Sequence, residues 1–422
     1  MLTASGYVTN ADPELKRILT VRPIAVGGPD RPPPPTFRVF RGSGDNLCVP
    51  QYFGKDHIGE RPVDRRSQPA RANIKFAGEL REELSQKTAV AGFEASGGGV
   101  ISLPCGYGKS VVGLAVAASL GLRTMIMVHK EFLADQWVEV IRRFCPGSTI
   151  GRVQGDVHEI EHDFVICMIQ TMCAREHPPR AFESIGLLIV DEAHHICAKV
   201  FSQTMFKMCP RHTLGLSATP ERKDGLTRVL HWFLGPMILA VTRSSADVLV
   251  RPVAYQGPFP DASKDLATMI TDLTQVPERN ELLKREISAL LETNRNILVL
   301  SDRREHCKWL VTQFDAGLYM GGMSREELDE SSKKRLIVGT FSLAQEGLDI
   351  PKLDTVIFAT PKSDIIQASG RILRSRGNSP LVIDIVDHWA MFFPMFVKRR
   401  KHYLDMNFTV EGAERERGRC LI

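Results

Sequence analysis

The sequence predicts an α/β chain: two doubly wound parallel sheets in tandem, preceded by a small β-containing extension. Three observations carry this. Short apolar runs at Val100–Leu103, Thr124–Val128, Phe164–Met168, Leu187–Val190 and Thr213–Leu216 are each followed by a helix-like stretch. The alternation restarts further on, at Ile297–Leu300, Leu336–Gly339, Thr355–Ala359 and Leu381–Ile385. Residues 1–76 lack long periodic segments. Wholly apolar strands alternating with helices indicate parallel strands covered on both faces, and such folds hold ligands at the carboxyl ends of their strands.

The chain has 422 residues, 43% hydrophobic and 24% charged, with a net charge of +5. That length accommodates two large domains and a smaller piece. The mild positive balance suits a nucleic-acid partner without identifying one. Nine cysteines, an odd number, are scattered from Cys48 to Cys420. No secretory-type segment opens the sequence, so the expectation is free thiols in a reducing, intracellular compartment. Cys145, Cys167 and Cys173 fall short of the four thiolates an iron–sulfur cluster needs and are expected as buried thiols. No apolar run reaches the ~20 residues of a membrane span, so no membrane partner is expected.

In chain order, Gly27, Gly28, Pro29 and the run Pro32 to Pro35 predict an extended linker, a segment mostly outside the residues described below. Phe37–Arg41 and Leu47–Val49 flank turn-rich Gly42–Asn46, which predicts a hairpin. This extension either packs or touches substrate. A helix is expected from Phe76, with Leu80, Leu84 and Thr88 on one face.

The stretch GGGVISLPCGYGKSVV, Gly97 to Val112, dominates the front half. Strand Val100–Leu103 runs through a loop into a helix carrying Val111, Val112, Leu114 and Val116. Gly106 and Gly108 let backbone curl around a phosphate, with Tyr107 between them. The helix N-terminus favours an anion, Lys109 adds a point charge, and Ser110 offers a hydroxyl to Mg²⁺. The pattern G-x-x-x-x-G-K-[ST] is met except at its first glycine, where Leu103 stands. Strand Leu187–Val190 then ends in Asp191-Glu192-Ala193-His194. Two carboxylates at that sheet edge suit a Mg²⁺ ligand, Asp191, and a base for water, Glu192. His194, His195 and Cys197 lack a second cluster to complete a metal site, which leaves them a coupling or packing role. Val128-His129-Lys130 and Leu216-Ser217-Ala218-Thr219-Pro220 end two further strands.

Ser244, Ser245, Gly257, Pro258, Pro260 and Pro277 mark residues 244–280 as a junction with some strand at Val248–Tyr255 and then helix. Lobe 1 is thus expected over 77–243, lobe 2 over 281–405 from an amphipathic Glu281–Leu291, and a tail over 406–422. No second G-K-[ST] occurs, so the second domain is expected to act on what the first binds. Lys398-Arg399-Arg400-Lys401 is expected to be a solvated helix end, with a nucleic-acid backbone contact as the alternative.

These strings resemble the superfamily 2 helicases, with two RecA-like lobes, and within them the XPB-like group. That group includes the phage helicase UvsW and helicases of large DNA viruses such as the poxvirus transcript-release helicase. The resemblance covers about Phe76 to Tyr403. LPCGYGKS resembles motif I, VHKEFLADQW motif Ia, IVDEAHH motif II and LGLSATPERKDGL motif III. ILVLSDRREHCKWL resembles motif IV, GTFSLAQEGLDIP motif V and QASGRILR motif VI. The resemblance implies ATP and Mg²⁺ as cofactors. It implies that Gly347, Asp349 and Gln367 face the nucleotide. Arg371 would approach the γ-phosphate and Arg374 would be the arginine finger, a guanidinium being charged at any working pH. Gln86, placed a little late after Leu80-Arg81, would read the adenine. Ser217 and Thr219 would link hydrolysis to movement.

The expected function is therefore an ATP-driven nucleic-acid helicase, with DNA first and RNA open. A monomer suffices for the ATP site, and transcription or replication proteins are candidate partners. Should the chain be viral, the expected setting is a host-cytoplasm factory or a virion. The alternatives are a double-stranded DNA translocase that leaves strands paired, and a non-catalytic ATP-dependent clamp. A nuclease subunit lacks a separate acidic-lysine cluster.

Overall fold

The computed structural model describes residues 1–24, 34–43, 45–59, 63–104, 106–178, 180–218, 224–241, 248–261, 263–342, 350, 352–363, 365 and 379–412. It divides into two units, Met1–Thr242 and Arg243–Ile422.

In the first unit the apolar runs become the interior of an eight-stranded sheet. Across it lie Val157–His158, Ile150–Gln154, Phe164–Met168, Thr124–Val128, Leu187–Asp191, His212–Ser217, Gly99–Ser102 and Met237–Ala240. Every neighbouring pair is parallel except Val157–His158, which folds back on Ile150–Gln154. Successive side chains of a strand point to opposite faces. Accordingly Ile101, Ile126, Ile166, Ile189 and Leu216 share one core with the helices Gln86–Ser96, Lys109–Leu120 and Glu131–Phe144. Val100, Met125, Val165, Leu188 and Val190 enter the core on the other face. The outlying strand Ile150–Gln154 and the edge strand Met237–Ala240 escape an apolar-run search because they are only partly buried.

The extension packs against that second face. Leu2–Thr3, Gly6–Asn10, Asn46–Val49 and Arg41–Ser43 form an antiparallel sheet. Leu2, Tyr7, Leu47, Val49 and Phe53 join the core of Val100, Met125, Val190, Phe206 and Trp232. Phe53 meets the Trp232 ring edge-on at 5.3 Å. The expected hairpin is shorter than read: Arg41–Ser43 pairs with Asn46–Val49, while Phe37–Arg38 pairs with Thr20–Val21.

The helix expected from Phe76 begins ten residues later, at Gln86. Gly78 is wedged between the Phe76 and Phe144 rings, and Ser85 takes a left-handed φ of 56°. These local contacts stop helix from propagating backwards, although Phe76 and Leu80 still pack on the core.

In the second unit the order is Gly317–Tyr319, Leu336–Thr340, Ile297–Ser301, Thr355–Phe358, Leu381–Asp387, Leu249–Tyr255 and Thr409–Val410. All pairs are parallel. The expected junction carries its strand and then its helix. Leu249–Tyr255 is an inner strand, and Leu266–Leu273, capped by Asp265, is a helix on the same core. From the expected tail, Thr409–Val410 adds the last strand.

The basic run at 398–401 is also corrected. It lies in the helix Phe393–Asp405, but Arg399 points inward and is 2% exposed. Its guanidinium pairs with Asp384 through Nε at 2.9 Å and Nη2 at 2.8 Å, and Tyr403 donates to the same carboxylate at 2.8 Å. A second buried pair, Arg279 with Asp387 at 2.6 and 3.0 Å, ties the helix Pro277–Leu291 to the end of the same strand.

Candidate nucleotide site

The loop after Gly99–Ser102 turns through two left-handed glycines, Gly106 at φ 87° and Gly108 at φ 73°. Side chains rarely adopt this conformation, which explains the glycines. Gly108 caps the helix Lys109–Leu120, whose first two residues are Lys109 and Ser110. The helix start thus presents unpaired N–H groups and partial positive charge beside the loop. Lys109 Nζ lies 3.4 Å from the Leu103 carbonyl. Leu103 prolongs the strand: its N–H donates to the Ser217 carbonyl at 3.1 Å and its side chain is fully buried. Its backbone is not left-handed, so this position has no need of the glycine in the usual pattern.

Gln86 reaches this loop from the head of its helix. Its Nε2 donates to the Tyr107 carbonyl at 2.9 Å, and its Oε1 accepts the Arg81 N–H at 3.0 Å. A Cβ on Gly108 would stand 2.5 Å from Gln86 Nε2, so the glycine also admits this contact.

Asp191 ends the strand Leu187–Asp191, which is separated from the loop strand by His212–Ser217 alone. Its Oδ1 accepts the Glu192 N–H at 3.0 Å, and its Oδ2 accepts the Trp137 indole N–H at 2.9 Å. Burial first, and then the charge of Glu192, push the Asp191 carboxyl up to about 6; the indole and the nearby Lys109 ammonium oppose the rise. Glu192 takes a left-handed φ of 47°, a strained geometry for a residue with a side chain. Its Oε2 is sealed from solvent and makes no hydrogen bond among the described residues, with His194 Nδ1 at 3.5 Å. The same His194 nitrogen lies 3.3 Å from Ser217 Oγ. One imidazole thus links the second carboxylate to the end of the strand beside the loop.

A buried carboxylate of raised proton affinity, a second with an unbonded sealed oxygen, a lysine and a glycine-lined helix start fit a Mg²⁺–nucleotide phosphate group. The structure brings Lys109 and Glu192 close to Asp191, with Gly106, Tyr107, Gly108, Ser110 and Gln86 around the loop. Thr219, Gly347, Asp349, Gln367, Arg371 and Arg374 lie outside the described residues. Trp137 was not singled out from the sequence. Its motif string is visible, but it lies in the helix Glu131–Phe144 and its partner ends a separate strand, 2.9 Å away in space.

Among the described residues no helix is long and apolar enough to cross a membrane. Cys48, Cys145, Cys167, Cys173, Cys209 and Cys307 are free thiols. Burial pushes the Cys145 thiol up to about 11.

Comparison with known proteins places this geometry in a lineage. Residues 71–222 match the family described as type III restriction enzyme, res subunit, and residues 278–376 match the helicase conserved C-terminal domain. A protein of Acanthamoeba polyphaga mimivirus, provisionally named ATP-dependent RNA helicase L396, is 31% identical over 438 positions, covering 95% of this chain and 84% of its own. Helicase 161L of Invertebrate iridescent virus 6, also a provisional name, is 26% identical, covering 85% of this chain and 88% of its own. Among solved structures, the Mycobacterium smegmatis helicase Lhr bound to ssDNA and AMP-PNP matches with a TM-score of 0.50 at 18% identity. That match covers 72% of this chain and 45% of Lhr, and it supports the fold alone. The chain belongs to the superfamily 2 helicases, ATP-dependent proteins with two RecA-like lobes, alongside relatives from large DNA viruses.

Proposed function

We propose that the chain couples ATP hydrolysis to the separation of nucleic-acid strands, with DNA as the first substrate. The observation that carries this reading is the convergence of Lys109, Asp191 and Glu192 at the carboxyl edge of one parallel sheet. The loop Gly106–Gly108 and the helix start would bind the phosphates, with Lys109 countering their charge. Gln86 would exchange its protein contacts for the adenine edge. Mg²⁺, held by Asp191 and the Ser110 hydroxyl, would supply charge neutralisation at the phosphate oxygens. Glu192 would accept the proton of the attacking water at its unbonded oxygen. His194 and Ser217 would carry the change to the neighbouring strand end.

From the second unit, Arg371 and Arg374 would contribute charge to the transferring phosphoryl group, and Gly347, Asp349 and Gln367 would face the nucleotide. The strand would be held mainly by backbone contacts, which carry little sequence information. RNA is the second reading, favoured by the names of the mimivirus and African swine fever virus relatives. The viral relatives support a host-cytoplasm factory or a virion as the setting, with transcription or replication proteins as partners.

The test is ATPase rate with single-stranded, double-stranded and branched DNA and with RNA, alongside strand- and triplex-displacement assays. We expect stimulation by DNA and strand displacement. Lys109→Ala and Glu192→Gln should each lower the stimulated kcat by at least about 100-fold, and Arg374→Ala should lower kcat while sparing ATP binding. Stimulation by RNA alone would replace the substrate, triplex displacement without strand displacement would favour a translocase, and normal turnover in Glu192→Gln would remove the site.

A further inference from the structure

We propose that Trp137 is a positioning residue for the nucleotide site: its indole N–H holds the Asp191 carboxylate in one orientation for a divalent cation. This rests on the reading of Asp191 as the metal-holding group.

Trp137 lies midway along the helix Glu131–Phe144 and is 2% exposed. Its Nε1 donates to Asp191 Oδ2 at 2.9 Å, while the Glu192 backbone N–H donates to Oδ1 at 3.0 Å. One donor on each oxygen fixes the plane of the carboxylate. A carboxylate has about four lone-pair sites, so each oxygen keeps one for a further partner. Free rotation about the terminal bond would otherwise be broad. Donors of this kind, which touch the ligand and not the metal, typically change metal affinity by about 10- to 100-fold.

The surroundings are shaped to admit the indole. Gly113 lies in the interior of the helix Lys109–Leu120, where glycine costs about 1 kcal/mol relative to alanine. Its φ is not left-handed, so its backbone makes no demand for glycine. A Cβ there would stand 3.2 Å from the far edge of the Trp137 ring, 3.3 Å from Leu216 and 3.4 Å from Ile189. The helix that begins at Lys109 is thus thinned where the indole passes beneath it. A ring that merely filled space could be a phenylalanine; the N–H is what reaches Asp191.

The test replaces Trp137 with its benzothiophene analogue, which keeps the ring shape and lacks the N–H, and separately makes Trp137→Phe. Mn²⁺ binding is followed by electron paramagnetic resonance with ADP present, so that no turnover is needed. ADP affinity is measured separately in EDTA. Both replacements should raise the Mn²⁺ dissociation constant about tenfold and leave metal-free ADP affinity unchanged, a split that general loosening of the fold would not produce. Asp191→Asn should abolish the bound fraction and leave the full signal of free Mn²⁺. A benzothiophene variant that binds Mn²⁺ like the unaltered chain, while Asp191→Asn does not, overturns the role of Trp137 alone. An Asp191→Asn variant that binds normally overturns the metal reading, and the Trp137 role with it.

Discussion

Asp191 carries an electrostatic cost in the folded chain. Its carboxyl is pushed up to about 6 by burial and by Glu192. The ionised form is therefore penalised in the native state, and an unfolded chain releases the proton more readily. Stability is consequently lost as pH rises from about 4 through 6, and the loss persists above. In metal-free, nucleotide-free solution, Asp191→Asn should stabilise the fold at pH 7.5 by on the order of 2 kcal/mol, read as a higher melting temperature. The advantage should shrink as pH falls towards 4.5. Melting curves across that range check it, and a gap independent of pH would refute it. The left-handed Glu192 belongs to the same pattern of local cost at the candidate site. Both acids were legible in the sequence because they directly follow an apolar strand. The indole that holds Asp191 was not, because hydrogen-bond partners on separate elements leave no spacing rule.

At the scale of elements, the helix Phe393–Asp405 shows how a basic run misleads. Spacing alone assigns Lys398 to Lys401 to solvent, yet Arg399 is drawn inward by Asp384 on the strand Leu381–Asp387. A buried fork with two bonds to one carboxylate is costly to break from one side, since the remaining charge keeps its desolvation penalty. Arg399→Met should therefore lower the stability of the second unit by about 3–5 kcal/mol, read as a lower urea midpoint. Asp384→Leu together with Arg399→Met should recover much of the loss. A single variant as stable as the parent would show that the pair carries no weight. The helix start at Gln86 has a similar cause: Gly78 between two rings and left-handed Ser85 hold back a pattern that periodicity alone would begin at Phe76.

For the whole molecule, the extension supplies part of the first unit's core. Leu2, Tyr7, Leu47, Val49 and Phe53 share one cluster with sheet residues Val100 and Val190. Deleting 1–59 should uncover that cluster, giving raised binding of a hydrophobic dye and aggregation during purification. A deletion chain that stays monodisperse with unchanged melting would show the extension to be an ornament. The sequence alone determined the strand–helix alternation of both halves, the glycine-lined loop and the paired acids. Each of these is written within a few residues of a strand end, where burial and turn chemistry act locally. Only the tertiary structure decided that Trp137 serves Asp191, that Arg399 is interior, and that the extension covers a sheet face. Periodicity shows which side of an element is apolar, but not which distant element will cover it.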